Sequence, residues 1–387
     1  LLVKHKLLAS VAVVSAALFF TTSASAQSVT VLGGGLKGGA YAMAVGLSKV
    51  LKDKANMNVS PQTSGGMVAQ ARLLSKGTAQ FAFGIGGAIG AWAYNGQRRF
   101  KKEGPKKNLR AVMAYPFGHF QWVTLADSGI KTLRDVKGKT VSVGKASSMT
   151  QTFARIFLPA HGIKMTDIKE TTPGFGGGFK QLRDGNVAAH LSVGRVPIGA
   201  LRELATSKQF RLIDMDKGVI NNLAKDIGSG VNVDMLKPGA YGANQKNTAP
   251  VTTMAVYFGF TTSTNTSADL VYKVTKAMFD NLGAFKKATA KAKGVTKKGA
   301  CSGLAFPLHE GAKRYYKEIG KWTAADQENT DNMLRRQDVV AAAWKTTSAT
   351  HKDNDDATFY AAWKSNRAEA LKAAGFAPVW TEWPDPK

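Results

Sequence analysis

The chain has 387 residues, with 53 Lys and Arg against 26 Asp and Glu, a formal net charge of +27 and a single cysteine, Cys301. That length exceeds one small domain and suits two lobes of ordinary size. One cysteine excludes an intrachain disulfide framework and a cysteine-built metal centre, while the basic balance calls for an anionic partner: nucleic acid, a membrane surface or a small anion.

The N-terminus carries a basic start at Lys4, His5 and Lys6, an apolar run from Leu7 to Phe20 and small residues at Ala24-Ser25-Ala26. This pattern predicts a secretory signal peptide over 1–26, with the mature chain beginning at Gln27 in the periplasm. The apolar run is shorter than the ~20 residues of a membrane-spanning helix, which disfavours an uncleaved anchor. Export argues against nucleic acid as the partner and leaves a small anion in the lead.

Val29–Leu32 then reads as a strand, Gly33–Gly39 as a turn and Tyr41–Lys54 as an amphipathic helix with Met43, Ala44, Leu47, Val50 and Leu51 on one face. Glycines at such a junction let backbone N–H groups approach a ligand, and the helix start favours an anion. Gly33, Gly35 and Gly38 match G-x-G-x-x-G, but Asp53, at the right count for a ribose ligand, lies near the end of the first helix instead of after a second strand. A dinucleotide is therefore disfavoured, and no cofactor is expected.

Further strands are predicted at Asn58–Thr63, Phe81–Ile85 and Leu109–Ala114, with helices at Met67–Ser75 and Ala88–Asn95. The alternation implies a largely parallel sheet whose ligands bind beyond the carboxyl ends of the strands. The turns there supply Gly38, Tyr41, Ser64, Gly66, Met67, Gly86 and Gly87 as candidate ligand contacts.

A strand at Phe120–Leu125 leads to a second series: a strand at Thr140–Val143, a helix from Met149 to His161, a helix at Gly177–Arg183, a strand at Ala188–Val193 and a helix from Pro197 to Ser207. Ser147, Ser148, Met149 and Thr150 open the first of these helices, where hydroxyls either cap it or meet an anion. Arg195 stands at the mouth of the cleft, able to hold a carboxylate, sulfonate or phosphate through two parallel hydrogen bonds; the alternative is a surface arginine paired with an acid. Val251–Thr261 carries the chain back, so two strands cross between two α/β lobes, 27–122 with 254–320 and 123–253, and make a hinged cleft.

A long helix is predicted over Ala268–Lys293. Lys286, Lys287, Lys291, Lys293, Lys297 and Lys298 read as a solvated helix face and the loop after it. Residues 321–387 form a helical C-terminal extension with helices around Asp326–Trp344 and Thr358–Ala374. It holds five of the seven tryptophans, Trp322, Trp344, Trp363, Trp380 and Trp383, read as packing against the first lobe or else as a docking surface.

Several segments occur in the order of a known family: the glycine turn with Tyr41, Ser64-Gly65-Gly66, Ala93-Tyr94-Asn95-Gly96, Asp127-Ser128-Gly129-Ile130-Lys131-Thr132-Leu133, Val136-Lys137-Gly138-Lys139, Leu182-Arg183-Asp184-Gly185, Pro238-Gly239-Ala240-Tyr241 and Phe306-Pro307-Leu308-His309-Glu310-Gly311. The chain resembles the TAXI family of solute receptors, the extracytoplasmic binding subunits of one branch of TRAP transporters, over about Val29 to Gly320. The resemblance implies a type II periplasmic binding protein, two α/β lobes joined by hinge strands. It would close on a small anionic organic solute and deliver it to TRAP membrane permease subunits driven by an ion gradient. Relatives favour glutamate-like and oxo-dicarboxylate ligands. Here Gly65-Gly66-Met67 replaces the usual Gly-Gly-Ser, Gly86-Gly87-Ala88 a Gln-Ser-Asp type turn, Ser147-Ser148-Met149-Thr150 a Gly-Ser-Gly-Thr type turn, and Arg195 a glycine, so glutamate is not carried over.

Enzyme chemistry finds little support. The six histidines include no H-E-x-x-H pair, no G-x-S-x-G elbow is present, and Cys301 has only His309 as a nearby candidate base. No catalytic residue and no metal ligand is expected. The alternative to transport is a periplasmic sensor or interaction module with the same fold.

Overall fold

The computed structural model describes residues 29–36, 38–145, 148–227 and 230–378, and not the side chains of Ala88, Phe175 and Asp226. The expected signal peptide, Ser147, Trp380 and Trp383 lie outside the described residues.

The strands are β1 Val29–Leu32, β2 Val59–Gln62, β3 Phe81–Gly86, β4 Leu109–Leu125, β5 Thr140–Ser142, β6 Lys169–Thr171, β7 Ala189–Gly194, β8 Phe210–Leu212, β9 Val231–Leu236 and β10 Val251–Ser263. They form a 10-stranded sheet in the order β2-β1-β3-β10-β4-β7-β5-β6, with β8 on β4 and β9 on β10. In the first half β1 lies parallel to β2 and β3, with β10 antiparallel to β3. The second half repeats the plan: β5 lies parallel to β6 and β7, and β4 is antiparallel to β7.

Both long strands serve both halves. β4 pairs with β10 from Leu109 to His119, then with β7 from His119 to Val123 and with β8 to Leu125. β10 pairs with β9 over Val251–Val256 and with β3 and β4 beyond. The strands part near His119 and Ala255. Two α/β halves joined by two shared strands are the type II periplasmic binding protein arrangement.

The helices are α1 Gly39–Ala55, α2 Met67–Ser75, α3 Gly87–Asn95, α4 Met149–Ala160, α5 Phe175–Arg183, α6 Gly199–Leu204, α7 Lys217–Ile227, α8 Ala268–Asp280, α9 Leu282–Ala288, α10 Glu310–Glu318, α11 Ala324–Thr350 and α12 Asp356–Ala373. Most of the first half forms where the periodicity places it. Three differences have local causes. Leu109–Ala114 and Phe120–Leu125 are one strand, because the pairing slips from Gly118↔Val256 to Pro116↔Tyr257 and leaves Phe117 as the extra residue of a bulge, which accommodates a proline.

The long helix over Ala268–Lys293 is broken. Asn281 Nδ2 donates to the Ala277 carbonyl at 2.8 Å, offering the backbone an alternative to the helix. Extended Thr289 then ends α9 and caps a 3-10 turn, Ala290–Gly294. Pro197, expected to open a helix, precedes it: α6 begins at Gly199 behind extended Ile198, whose N–H donates to the Tyr241 hydroxyl at 3.1 Å.

The main core runs through both halves, from Val31, Phe83 and Phe260 to Phe120, Phe153 and Phe157. Phe120 of the shared strand stacks on Phe153 of the second half at 4.2 Å. A second cluster, with Val123, Leu201 and Phe210, lies under α5 and α6. The α11–α12 hairpin has its own small cluster of Val340, Trp363 and Leu371. It docks on the first half through Tyr94 to the Met333 carbonyl, Arg336 to Asn95 and Trp363 to the Gly96 carbonyl.

Three buried histidines set an acid limit on this fold. Burial holds the His190 imidazole down to about 4, and lowers His161 and His309 as well. The folded state keeps them neutral, whereas the unfolded chain takes up protons below ~6.5. Stability is therefore lost as pH falls from ~6.5, and the His190 share stops growing below about 4. For His190 alone the linkage is about 2 kcal/mol between pH 7 and pH 5. Denaturant titrations at those two pH values should show the drop, and equal midpoints would contradict the buried neutral imidazoles.

Candidate functional site

The site begins with the glycine turn. Gly33 lies so close to the backbone of Tyr41 that a Cβ on it would stand 2.3 Å from the Tyr41 Cα. Ser64 Oγ donates to the Gly33 carbonyl at 2.5 Å, and the Gly66 N–H donates to Ser64 Oγ at 3.4 Å. Ser64 and Gly66 therefore fasten the turn. The turn feeds α1 without a side-chain cap: its N-cap is Gly38, and its first turn holds no acidic residue. Among the described residues no side chain caps the first N–H groups of this 17-residue helix, and such a start favours an anion.

A cavity of about 790 Å³ opens at this point between the halves. Gly38, Gly39, Ala40 and Met43 of the α1 region line it on the first half. Val193 to Gly199, the segment between β7 and α6, lines it on the second half. Tyr115, Pro116 and Phe117 of β4 and Phe258 of β10 contribute from the shared strands, and Ala290 and Lys291 from the 3-10 turn. Phe117, put there by the bulge, stacks on Phe258 at 3.9 Å with 18° between the planes, and Tyr115 meets Phe258 edge-on. Burial raises the Tyr115 phenol well above its usual range, so it stays a neutral hydroxyl.

Arg195 spans this space. Its guanidinium donates to the Pro116 carbonyl at 3.2 Å and lies over Gly294, where a Cβ would sit 2.3 Å from Nη2. A Cβ there would push the end of the arginine side chain aside. Lys291 packs against the start of α1, its Cδ 3.5 Å from the Cβ position of Gly39. A 3-10 helix turns once in about three residues, so positions 291 and 294 share a face. The guanidinium, the ammonium stem and the open start of α1 thus gather around Ala290–Gly294 as a positive pole. No carboxylate is among the described residues lining the cavity.

Of the sequence candidates among the described residues, Gly38 and Arg195 line this cavity. Tyr41 backs the glycine turn. Gly86 lies against the Tyr257 carbonyl, and Gly87 beside Gly230 and the Val256 side chain. Ser148 caps α4, accepting from the Gln151 N–H at 3.2 Å, and the Thr150 side chain covers Gly144. Met67 and Met149 pack on the main core. Lys291, Tyr115, Phe117 and Phe258 were missed. Lys291 sits in a lysine-rich stretch that reads as a solvated face, and the signal that sets it apart is Thr289 and Gly294 interrupting the helix on either side.

The residues weighed for catalysis have structural partners. His309 Nδ1 accepts from the Gly311 N–H at 3.1 Å and caps α10, while its Nε2 meets the Thr266 carbonyl at 3.1 Å. Burial pushes the Cys301 thiol up to about 12, away from the reactive thiolate. Among the described residues no group of three or more His, Cys, Asp or Glu is arranged to hold a metal, and no helix is long and apolar enough to cross a membrane.

Two α/β halves joined by shared strands, with a cavity between them that has a positive pole, are the arrangement of the periplasmic binding protein fold. The chain belongs to the NMT1-like family, whose model matches residues 31–320; the α11–α12 hairpin lies beyond the match. Solved structures with a similar arrangement include PhnD1 from Prochlorococcus marinus in complex with methylphosphonate, at 9% identity and a TM-score of 0.45 over 76% of this chain and 99% of that one. The aliphatic sulphonate binding protein SsuA from Escherichia coli is 11% identical with a TM-score of 0.40, covering 80% of this chain and 85% of that one. XAC2383 from Xanthomonas citri, bound to ATP, is 12% identical with a TM-score of 0.45 over 79% and 99%.

Proposed function

We propose that the protein is the extracytoplasmic solute receptor of a TRAP-type transporter, which binds a small anionic organic solute between its lobes and hands it to membrane permease subunits. In this reading the lobes are 27–122 with 254–320 and 123–253, and 321–387 is an added helical region. The observation that carries it is the positive pole of the cavity: Arg195, Lys291 and the uncapped start of α1, with no lining carboxylate among the described residues. A helix end supplies ~0.3–1 kcal/mol at the surface, and micromolar affinity needs about 8 kcal/mol, so the fixed guanidinium and the apolar walls must provide the rest. The TRAP assignment rests on the order of the sequence segments, and the periplasmic location on the same resemblance and the basic-apolar-small pattern of the N-terminus.

A thermal-shift screen of organic acids, amino acids and amines tests the binding half of the proposal. A true solute at 100 times its Kd adds about 2.7 kcal/mol of stability. The stabilising compounds should be anions, and small-angle scattering with the best of them should show compaction as the lobes close on the shared strands. Stabilisation by amines alone, or an unchanged radius with binding proven, would contradict a hinged anion receptor. The transport half is tested by uptake with the membrane partners in vesicles: it should stop when the ion gradient collapses, and uptake that instead follows ATP would place the protein with a different transporter.

A further inference from the structure

We propose that the solute is an amphipathic monoanion: one carboxylate or sulfonate on an aromatic or branched apolar body, with no ammonium group. The inference rests on the reading of the cavity as the solute site and narrows it. Among the described residues, only Tyr115, Arg195 and Lys291 bring polar side-chain groups to the lining; the remainder is Gly, Ala, Met, Pro, Val, Ile and Phe.

An α-amino acid would bury an ammonium with no carboxylate to meet it, and an unpaired buried charge costs several kcal/mol. A polar dicarboxylate fares little better. Lys291 belongs to the 3-10 turn and the Arg195 guanidinium, reaching in from the segment after β7, lies over Gly294 of the same turn, so the positive charge is concentrated at one end of the cavity and a second carboxylate would be left against apolar side chains. The stacked Phe117 and Phe258, at 3.9 Å, and edge-on Tyr115 offer instead a platform for a flat body. About 790 Å³ also falls within the range of sites that enclose drug-sized molecules.

The test is calorimetry on the full mature chain with phenylacetate, 4-methyl-2-oxopentanoate, 2-oxoglutarate, L-phenylalanine and phenethylamine. Phenylacetate or 4-methyl-2-oxopentanoate should bind at least about tenfold more tightly than 2-oxoglutarate and L-phenylalanine. Phe117→Ala should weaken the preferred ligand on the order of tenfold, with Phe117→Leu, which keeps an apolar side chain, losing less. Tighter binding of 2-oxoglutarate or L-phenylalanine overturns this inference while leaving an anion receptor in place. Preference for phenethylamine overturns the anion receptor itself. Unchanged affinity in both Phe117 variants, with melting temperatures showing both folded, removes the aromatic platform from the site and overturns the inference.

Discussion

Arg195→Ala should weaken solute binding by about 3 kcal/mol, roughly a hundredfold rise in Kd, while leaving the melting temperature nearly unchanged. The asymmetry follows from what the side chain touches. Arg195 is exposed and donates to the Pro116 carbonyl at 3.2 Å, so the fold loses little when it is cut back. A bound carboxylate or sulfonate loses two parallel charge-assisted bonds. Arg195→Lys should recover part of the affinity, because an ammonium supplies charge without the fork. Gly294→Ala makes a sharper companion: a Cβ 2.3 Å from Nη2 forces the guanidinium aside without removing it, and affinity should fall with the charge intact. Calorimetry with the ligand found by screening reads all three. Equal affinity in Arg195→Ala would take Arg195 out of the site and leave Lys291 and the start of α1 as its positive pole.

Trp363→Ala should cost about 3–5 kcal/mol of stability and leave solute affinity nearly unchanged. Trp363 is fully buried, meets Trp344 edge-on at 4.9 Å and donates its indole N–H to the Gly96 carbonyl at 2.8 Å. Gly96 ends α3 in the left-handed conformation, so this bond ties the added hairpin to a helix terminus of the first half. Trp344 covers Gly104, whose missing Cβ would stand 2.4 Å from the ring. Trp363→Phe, which keeps a ring and removes the N–H, should lose less. Denaturant melts would show the loss as a lower midpoint. An unchanged midpoint in Trp363→Ala would mean the hairpin is an independent module resting on the fold, and would reopen the reading of the tail as a docking surface.

The parts of this molecule that were legible in the sequence are those where one local rule decides. Val29–Leu32 and Met67–Ser75 form where the residue pattern puts them, because strand or helix periodicity there meets a glycine turn and a single burial pattern. β6 and β8 carried weak signals because each is three residues long, and β8 pairs with β4, more than eighty residues earlier in the chain. The split of the helix after α8 turned on Asn281 and Thr289, residues that a helix tolerates in other settings. At the cavity, Gly38 and Arg195 were legible because each marks an end of a strand-turn-helix unit. Phe117 was not, since its direction depends on a slip in pairing with β10, more than a hundred residues away. Lys291 was hidden by its lysine neighbours.

The central claim is that an organic anion is held between the two halves at the positive pole around Ala290–Gly294. A structure of the protein with the best ligand from the screen tests it most directly. The account predicts the anionic group within hydrogen-bonding distance of the Arg195 guanidinium and the first N–H groups of α1, with Lys291 beside it and the halves closed on β4 and β10. A ligand seated elsewhere, or one whose charged group faces the cavity's apolar walls while Arg195 stays on the Pro116 carbonyl, would contradict it.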